Sequence, residues 1–474
     1  MSSKPLVVDL DGTLIRSDVL IECGFAFAKA APHRFYEPLL WFAREGKPGL
    51  KARLAEATNI DVTVLPYDPT VIEWLQEERA GGRTLVLATA CHERYANAIA
   101  DHLGFFDKTF ATHNDINLSA NRKRDRLVEE FGEKGFDYAG NSHDDVPVWA
   151  AAERAYVVNP SSGVERAARK QGNVERVIDQ RSGSPRAWAK SLRLHQWLKN
   201  LLIFVPLLAA HQVSHTPAVI AAVLAFFAFG MCASSVYLLN DLLDLDDDRH
   251  HPTKRRRPLA SGAVPLVWGA MLVPVLLLLG GAIAWFCLPR QFMLMLMGYY
   301  VLTMAYSLHL KRRVMVDVIV LAALYTARII AGAAAIEARL TFWLLAFSMF
   351  IFLSLALVKR YAELHVLRER GLIRTRGRGY VADDIPLISS LGAASGYLSV
   401  LVLALYIQDG ATTSLYRYPQ FIWMACPLLL YWVSRMWVIA HRGQMNDDPI
   451  VFAAKDWGSW LVIALCGIVF WMAI

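Results

Sequence analysis

Two carboxylates lie near the start of the chain, in the run Asp9-Leu10-Asp11-Gly12-Thr13, directly after a short apolar stretch. Two carboxylates separated by one residue can divide the work of a hydrolase: one attacks the substrate and the other gives a proton to the leaving group. Asp-Gly is also a common turn sequence, so this run alone fits an ordinary turn at a strand end equally well.

Three further segments favour chemistry over a plain turn. Thr89 ends an apolar run and offers a hydroxyl to a phosphate oxygen, and Lys123, at a predicted helix start, offers a positive charge. The turn Gly140-Asn141-Ser142-His143-Asp144-Asp145 ends another apolar run and carries two carboxylates, the ligand type that Mg²⁺ prefers. Together these segments predict a metal-assisted phosphoryl-transfer site.

A second acidic group follows a long apolar segment. After Asn240, the carboxylates of Asp241, Asp244 and Asp248 are spaced i, i+3 and i+7, which places them on one face of a helix. Carboxylates at a membrane edge are costly and repel one another unless a divalent metal neutralises them. A basic turn that contains Lys254 and Arg255 comes next, so the pattern predicts a diphosphate held through Mg²⁺, with a solvated acidic loop as the alternative.

Other polar residues border the apolar segments. Tyr306, Lys311 and Asp317 close the fourth segment, and Asp317 is predicted either to bind a second Mg²⁺ or to position the substrate. Gln196, Lys199 and Asn200 lie at the start of the first segment, where the basic residues are equally readable as anchors at the membrane surface. Further candidates for substrate binding come from later loops and helix ends: Lys359, Arg378 and Tyr380.

The elements that must position the first group read as a parallel sheet. Residues 6–10, 83–88 and 137–140 are predicted strands, and residues 68–80, 91–103 and 122–134 are predicted helices. Strands that alternate with helices indicate βαβ units, in which ligands bind beyond the carboxyl ends of the strands. Residues 17–60 are rich in helix formers and are predicted to form an inserted helical cap.

The composition places the second group in a membrane. Of the 474 residues, 55% are hydrophobic and only 19% are charged, and the excess lies after residue 190. Segments long enough to cross a bilayer number about nine, near 198–213, 217–239, 267–287, 291–308, 315–336, 342–358, 386–407, 420–438 and 457–474. The fold class is therefore an N-terminal α/β domain over 1–181, a linker over 182–188 and an all-α polytopic membrane bundle over 189–474.

Charge asymmetry predicts the orientation of the chain. The net charge is +7, but the basic residues concentrate in alternate loops, as expected of cytoplasmic loops, so we predict no nucleic-acid partner. The chain shows no secretory signal, and the six cysteines have no paired spacing. We expect a multi-pass protein of the cytoplasmic membrane, with the N-terminal domain in the cytoplasm and the C-terminus outside.

The four segments of the N-terminal domain, in this order, resemble the haloacid dehalogenase superfamily of phosphatases over about residues 5–160. The resemblance implies that Asp9 is the nucleophile, Asp11 the general acid/base, and Thr89 and Lys123 the phosphoryl-binding residues. It also implies that Mg²⁺ is held by Asp145 with Asp9 and the carbonyl of Asp11. The family's last motif often begins Gly-Asp, whereas this chain has Gly140-Asn141, for which Asp144 is the candidate compensation.

Residues 188–474 resemble the UbiA superfamily of intramembrane prenyltransferases, which have nine transmembrane helices and two acidic motifs facing a central cavity. Several loop sequences are closer to its branch of decaprenyl-phosphate phosphoribosyltransferases, among them 196–200, 251–255, 359–364 and 447–449. In that branch the diphosphate belongs to phosphoribosyl pyrophosphate (PRPP), and a polyprenyl phosphate is the acceptor. The resemblance thus implies two activities in series: phosphoribosyl transfer, then removal of the 5-phosphate by the N-terminal domain.

Two other functions fit the same residues. One is a prenyltransferase that uses a prenyl diphosphate and an aromatic acceptor, with a phosphatase-like domain of separate or lost function. The other is a lipid-binding or scaffold protein without enzymatic activity. The sequence leaves open the length of the lipid, the pathway and whether the chain forms a homo-oligomer.

Overall fold

The computed structural model describes residues 4–113, 117–179, 183–369, 371, 378–408, 416–445 and 448–473. The chain divides into two compact units, of which the first comprises Met1–Leu192 with Tyr237–Val273 and the second Arg193–Val236 with Pro274–Ile474. The segment that carries the second acidic group therefore belongs to the same unit as the N-terminal domain. Of the predicted linker at 182–188, residue 182 lies outside the described residues and residues 185–188 begin a helix.

The first unit is built on a six-stranded parallel sheet with the order β3-β2-β1-β4-β5-β6. The predicted strands near 6, 83 and 137 are present. Three strands were not predicted: β3 and β6 are partly polar and exposed, and β5 is not followed by acidic residues as β1 and β4 are. The strands are β1 Leu6–Val8, β2 Leu85–His92, β3 Lys108–Thr112, β4 Asp137–Gly140, β5 Ala155–Val158 and β6 Val174–Ile178.

Helices cover both faces of this sheet, as the βαβ pattern requires. One core contains Leu6, Leu85 and Leu87, and the other contains Val7 and Val86, because successive side chains of a strand point to opposite faces. The helices are α1 Val19–Ala30, α2 Glu37–Ala57, α3 Pro69–Ala80, α4 Glu93–Leu103, α5 Ala120–Phe131, α6 Val146–Ala151, α7 Val164–Arg169 and α8 Pro185–Ser191. The predicted helical cap at 17–60 corresponds to α1 and α2.

The rest of the chain is helical. A 3₁₀ segment, Leu194–Phe204, leads into a series of helices, several of them long. These are α9 Val205–Ala209, α10 Thr216–Leu243, α11 Leu245–His250, α12 Leu266–Cys287, α13 Arg290–Leu308, α14 Val316–Ala335, α15 Phe342–Glu369, α16 Ile385–Ile407, α17 Ala425–His441, α18 Pro449–Lys455 and α19 Trp457–Ala473.

Within the described residues, seven helices are long and apolar enough to cross a membrane, and an eighth span is present if α18 and α19, bent by 80°, are counted as one. Two of the nine predicted spans therefore differ from continuous helices. The first is a shorter apolar element, Leu194–Ala209, in which a 3₁₀ stretch precedes Pro206. The last predicted span, 457–474, corresponds to α19, which has 17 residues and is counted as a span only together with α18. The multi-pass helical character predicted from the sequence is confirmed.

A buried ion pair fixes the acidic segment to the N-terminal domain. Arg249 of α11 donates two hydrogen bonds to Glu22 of α1, at 2.6 and 3.0 Å, and its Nε donates to the carbonyl of Ala260 at 2.9 Å. Ser17 also donates a hydrogen bond to Glu22. Both charged side chains are buried, so the attraction between them must compensate each for the loss of its hydration. The segment 237–273 is thus anchored to α1 rather than joined to the domain only through the chain.

We expect Glu22→Gln to destabilise the first unit by about 3–5 kcal/mol, because it leaves the guanidinium of Arg249 buried without a counter-charge. The unfolding midpoint of the detergent-solubilised protein measures the effect. Glu165→Gln is the matched control, since Glu165 pairs with Arg169 at an exposed site, where a pair contributes about 1 kcal/mol or less. The double variant Glu22→Arg/Arg249→Glu should recover part of the loss. Equal midpoints for Glu22→Gln and the control would contradict this role of the pair.

Candidate functional sites

The carboxyl ends of β1 and β4 bring the first group of predicted residues together. β1 and β4 are parallel neighbours, with Val8 opposite Ala139, so Asp9 and the turn after Gly140 lie at the same edge of the sheet. Lys123 of α5 enters between them: its Nζ lies 2.7 Å from Asp9 Oδ1 and 3.6 Å from Asp145 Oδ1. The structure therefore joins Asp9, Lys123 and Asp145 in one buried cluster.

Burial sets the protonation of the two aspartates in the Asp9–Thr13 run. Burial raises the pKa of Asp9 to about 6; Lys123 opposes this shift and the negative charge of Asp145 adds to it. Burial also raises the pKa of Asp11, and the charges of Asp18 and Asp9 contribute. Asp11 Oδ1 accepts a hydrogen bond of 2.8 Å from the backbone N–H of Val19, the first residue of α1. A raised pKa favours the protonated form of a carboxyl group, which is the form that gives a proton to a leaving group.

Asp145 is held firmly by its own turn. Its Oδ2 accepts hydrogen bonds from the backbone N–H groups of Asn141 and Ser142, both at 2.9 Å, and Tyr138 donates to its Oδ1 at 2.7 Å. The side chain of Asn141 lies against Gly12, whose φ is +75°; a Cβ at Gly12 would approach Asn141 Nδ2 to 2.0 Å. Asn141 thus stands beside the Asp9–Thr13 loop and offers a neutral amide there, while Asp144 is an exposed part of the cavity wall.

Thr89 lies differently from the sequence-based expectation. β2 continues three residues past Thr89, to His92, and the Thr89 side chain is fully buried, where its hydroxyl accepts a hydrogen bond from the N–H of Cys91 at 2.9 Å. The cavity wall at this strand is formed by Ala90, Cys91 and His92. The part of Thr89 in phosphoryl binding stays a prediction.

A cavity of about 890 Å³ opens over this cluster. Lys51 of the cap is a second cation on its wall that the sequence analysis missed; its Nζ donates to the carbonyl of Ala90 at 2.5 Å and to Asn117 at 2.8 Å. The sequence signal was a lysine in a basic helical run of the cap. The opposite wall comes from the segment 262–268, including Pro265, Leu266, Val267 and Trp268 at the start of α12. The beginning of a helix long enough to cross a membrane therefore lines the cavity that contains the carboxylate cluster.

The second acidic group separates into two parts. Asp241 and Asp248 both contact Arg257, whose Nη1 lies 3.0 Å from Asp241 Oδ1 and 2.6 Å from Asp248 Oδ2. Asp244, at the break between α10 and α11, instead lies 3.5 Å from Lys29 of α1, which also pairs with Asp247 at 2.6 Å. Arg257 was not predicted, although it ends the basic turn that was.

These carboxylates suit a cation. Burial raises the pKa of Asp248, and Arg257 opposes the shift. Two carboxylate oxygens, one each from Asp241 and Asp248, already converge on a single cationic atom. In the described part of the chain no three His, Cys, Asp or Glu side chains converge on one point. Mg²⁺ takes one or two protein carboxylates and completes its shell with water and substrate phosphate, so the Asp241–Asp248 and Asp9–Asp145 pairs both fit it.

The predicted basic residues next to the acids lie at the surface. Lys254 and Arg255 belong to a short 3₁₀ turn, Lys254–Arg256, and their side chains are exposed. Asn240 lies one residue before Asp241 in α10 and is half-buried. In the second unit, Lys311 lies in the 3₁₀ turn Leu310–Arg312, and Gln196 in the segment Leu194–Phe204.

Asp317 is the centre of a cluster in the second unit. It is fully buried, accepts a hydrogen bond of 2.9 Å from Tyr306, and forms an ion pair of 3.0 Å with Arg360. Arg378 lies 3.6 Å away, and Tyr380 accepts a hydrogen bond from the N–H of Met315 just before α14. Asp317 is one carboxylate facing two guanidinium groups, whereas Asp241 and Asp248 are two carboxylates that share one, so the geometry at Asp317 favours a positioning role over a second metal site.

Lys199, Asn200 and Lys359 belong to another buried cluster. Asp448 Oδ2 lies 2.8 Å from Lys199 Nζ and 3.0 Å from Lys359 Nζ, and it accepts a hydrogen bond of 3.1 Å from Tyr325. Asn200 accepts a hydrogen bond of 3.0 Å from Arg328. Asp448 was noted only as part of a loop motif whose Asp447 lies outside the described residues. Tyr325 and Arg328 were missed, although a charged residue within an apolar segment is itself a signal of function.

Comparison with known proteins extends these observations. Residues 201–460 match the UbiA prenyltransferase family, and residues 6–149 match the haloacid dehalogenase-like hydrolases. The uncharacterized protein y4nM of Sinorhizobium fredii is 38% identical over 99% of this chain and 91% of its own length. The nodulation protein NoeC of Azorhizobium caulinodans is 38% identical over 60% of this chain and 93% of its own length.

A decaprenyl-phosphate phosphoribosyltransferase of Mycobacterium tuberculosis is 31% identical over 56% of this chain and 87% of its own length. The UbiA match covers more than half of the chain, over the part that carries the long apolar helices. The sheet, the cap and the carboxylate cluster account for the second match. This chain is a membrane enzyme with a haloacid dehalogenase-like domain at its N-terminus, and it belongs to the UbiA prenyltransferase family.

Proposed function

We propose that the enzyme transfers the 5-phosphoribosyl group of PRPP to a polyprenyl phosphate, and that its N-terminal domain then removes the 5-phosphate. The observation that carries the transfer step is the pairing of Asp241 and Asp248 around one cationic position, next to an exposed basic turn. Acidic groups that hold a metal, beside basic groups that hold phosphate, suit a diphosphate substrate. The similarity to a decaprenyl-phosphate phosphoribosyltransferase supports the choice of PRPP and lipid.

In the transfer step, an oxygen of the lipid phosphate bonds to the anomeric carbon of the ribose, while the bond from that carbon to pyrophosphate breaks. Asp241 and Asp248, with Asp244 as a predicted third ligand, would hold Mg²⁺, which would supply positive charge to the departing pyrophosphate. Lys254, Arg255 and Lys311 are the proposed contacts of the phosphate groups. The lipid phosphate is ionised at neutral pH, so the chain needs no general base. Asp317, with Arg360 and Tyr306, is proposed to position the ribose, and Arg378 the 5-phosphate.

Asp241→Asn should abolish phosphoribosyl transfer, because it removes one of two carboxylate charges that hold the metal. Asp244→Asn should have the same effect if Asp244 leaves Lys29 to join the metal. The assay is purified enzyme with Mg²⁺, PRPP and polyprenyl phosphate, followed by mass spectrometry of the lipid. Asp246→Asn is the matched control, since Asp246 is an exposed acid of the same segment. Wild-type rates for Asp241→Asn would refute the site, and turnover of a prenyl diphosphate with an aromatic acceptor, but not of PRPP, would establish the alternative prenyltransferase.

The phosphatase step rests on the cavity over Asp9 and Asp11. Asp9 is proposed to attack the phosphorus of the 5-phosphate, and Asp11 to protonate the ribose oxygen that leaves; water then cleaves the aspartyl-phosphate. Lys123 is proposed to hold the phosphoryl oxygens, and Mg²⁺ at Asp9 and Asp145 to neutralise their charge. The wall formed by Pro265–Trp268 supports a lipid-linked substrate, because residues at the start of an apolar helix line the same cavity as the reacting carboxylates. Attachment of both sites to one chain raises the effective concentration of the intermediate.

Asp9→Asn should stop the sequence at the lipid-linked ribose 5-phosphate, because it removes the nucleophile and little volume. Wild-type enzyme should release inorganic phosphate as well as pyrophosphate and leave a lipid lighter by one phosphate, which mass spectrometry resolves. The transfer rate of Asp9→Asn should equal that of wild type. The same phosphorylated lipid from both proteins would show that the N-terminal domain does not act on this product.

We also propose that the basic loops and the N-terminal domain face the cytoplasm, in the cytoplasmic membrane. The support is the positive-inside distribution of Lys and Arg, with the turn 254–257 on one side and the short loop 288–290, which contains only Arg290, on the other. PRPP would then reach the acidic segment from the cytoplasm.

The exposed native residue Cys287 tests this orientation. An impermeant thiol reagent added to intact cells lacking an outer membrane barrier should label Cys287, and Cys287→Ser should remove the label. In the Cys287→Ser background, Arg256→Cys should label only after the cells are permeabilised. The reverse pattern would overturn the orientation. Cysteines introduced at 409–418 are also expected to label from outside, and residues 409–415 of that loop lie outside the described residues.

A further inference from the structure

The cluster around Asp448 contains more positive than negative charge: Lys199 and Arg328 are buried, and Lys359 is half-buried. Lys199 and Lys359 share one carboxylate oxygen of Asp448, at 2.8 and 3.0 Å. Among the described residues, Asp448 is the one carboxylate within ion-pair distance of either lysine. Arg328 lies alongside and is buried, and its described hydrogen-bond acceptors are the uncharged groups Asn200, Tyr299 and the carbonyl of Leu324.

Aromatic rings account for part of this charge. The guanidinium carbon of Arg328 lies 5.0 Å from the ring centre of Tyr299, 5.6 Å from that of Phe229 and 5.7 Å from that of Tyr325, so cation–π attraction offsets its burial. Lys199 Nζ also lies 5.5 Å from the ring centre of Tyr325. No such cage surrounds Lys359 in the described part of the chain. The lysine pair therefore keeps an excess of one positive charge over Asp448.

The cluster also holds a buried donor without a described acceptor. The side-chain Nδ2 of Asn200 is fully buried and makes no hydrogen bond within the described residues. A buried donor without an acceptor costs about 1–3 kcal/mol, and a buried cation without a counter-charge costs more. A bound ligand that supplies an acceptor and a negative charge would remove both costs. Asp448 Oδ2 receives three donors, from Lys199, Lys359 and Tyr325. That is the coordination that a phosphate oxygen takes.

The position of the cluster indicates which phosphate it receives. Tyr325 is the tenth of the 20 residues of α14, so it lies roughly 14 Å along the helix from its first residue, at about 1.5 Å per residue. α14 and α15, which carry Tyr325, Arg328 and Lys359, are both long and apolar enough to cross a membrane. A phosphate bound beside Tyr325 lies next to two long apolar helices, which suits a lipid headgroup with an attached hydrocarbon chain better than a free sugar phosphate.

We propose that Lys199, Lys359 and Asn200 form the binding site for the phosphate monoester of the lipid acceptor, with Asp448 as the group that this phosphate displaces. The proposal rests on the proposed function for the identity of the reaction, but the binding itself needs no PRPP. The lysines hold the phosphate that attacks the ribose and leave its free oxygen available for bond formation. Asp448 keeps the lysines paired and positioned while the lipid is absent.

The test measures binding and turnover separately. In native mass spectrometry of the detergent-solubilised enzyme, wild type should retain a polyprenyl phosphate and not the matching polyprenol. Lys199→Met and Lys359→Met should weaken retention, and should raise the KM for the lipid about 10- to 100-fold, the usual consequence of losing a charge-assisted hydrogen bond. The KM for PRPP should change less than about twofold, which is much less than the effect of losing one charge-assisted hydrogen bond. Lys359→Arg should retain most of the affinity, and Asp448→Asn, which keeps the cap of α18, should bind the lipid phosphate more tightly.

Arg435→Met is the matched control, because Arg435 forms an ion pair with Asp456 elsewhere in the second unit, at 2.6 and 2.9 Å. It should leave retention of the lipid phosphate unchanged. Equal retention of polyprenol and polyprenyl phosphate by wild type would overturn the proposal, and so would a rise in the KM for PRPP with an unchanged KM for the lipid. If a lysine variant does not fold, Lys359→Arg and Asp448→Asn decide: weaker binding by Asp448→Asn refutes the displacement. Lysine-dependent retention without turnover of PRPP would support this site and refute the proposed reaction.

Discussion

Several carboxylates withdrawn from water in the described part of this protein lie beside a cation, and each group of candidate residues contains such a pair. Asp9 lies against Lys123, Asp248 against Arg257, Asp317 against Arg360 and Asp448 against two lysines. Each pair is costly to bury, and the loss of one partner would leave the other uncompensated. Phosphate and Mg²⁺ carry the same two kinds of charge. A site built from such pairs therefore suits a substrate that contains phosphate and binds with Mg²⁺. The phosphate can replace the carboxylate beside a cation, and Mg²⁺ can replace the cation beside a carboxylate.

Much of the first site was readable from the sequence because it depends on local rules. A strand followed by acidic residues places them at the carboxyl edge of a parallel sheet, and this put Asp9 and Asp145 together before the structure was known. Thr89 shows the limit. Its place at the end of an apolar run was clear, but β2 continues to His92, which turns the hydroxyl into the interior. Strands β3 and β6 were missed because they are partly polar and exposed, and β5 because no group of acidic residues follows it, unlike β1 and β4.

The sequence predicted the membrane-spanning segments but not the contacts between their residues. Apolar length predicts spans, but a 3₁₀ stretch before Pro206 and the break at residue 456 depend on packing that hydropathy does not record. Asp244 lies on the predicted helix and nevertheless pairs with Lys29, more than 200 residues away in the sequence. Tyr325 and Asp448 are separated by 123 residues. No spacing rule connects residues so far apart, so such partners emerge only from the folded chain.

Helix α1 contacts a carboxyl group in each of the two acidic sites. Its first residue, Val19, donates its N–H to Asp11, and Lys29, in its last turn, pairs with Asp244, so about 15 Å of helix joins a carboxyl of one site to a carboxyl of the other. Between them, Glu22 holds Arg249. The enzyme is consequently hard to divide in two. A gene split at the domain border would produce a membrane half with a buried guanidinium lacking its counter-ion, and recombination with a foreign soluble domain would succeed only if that domain brought an acidic residue to the same place.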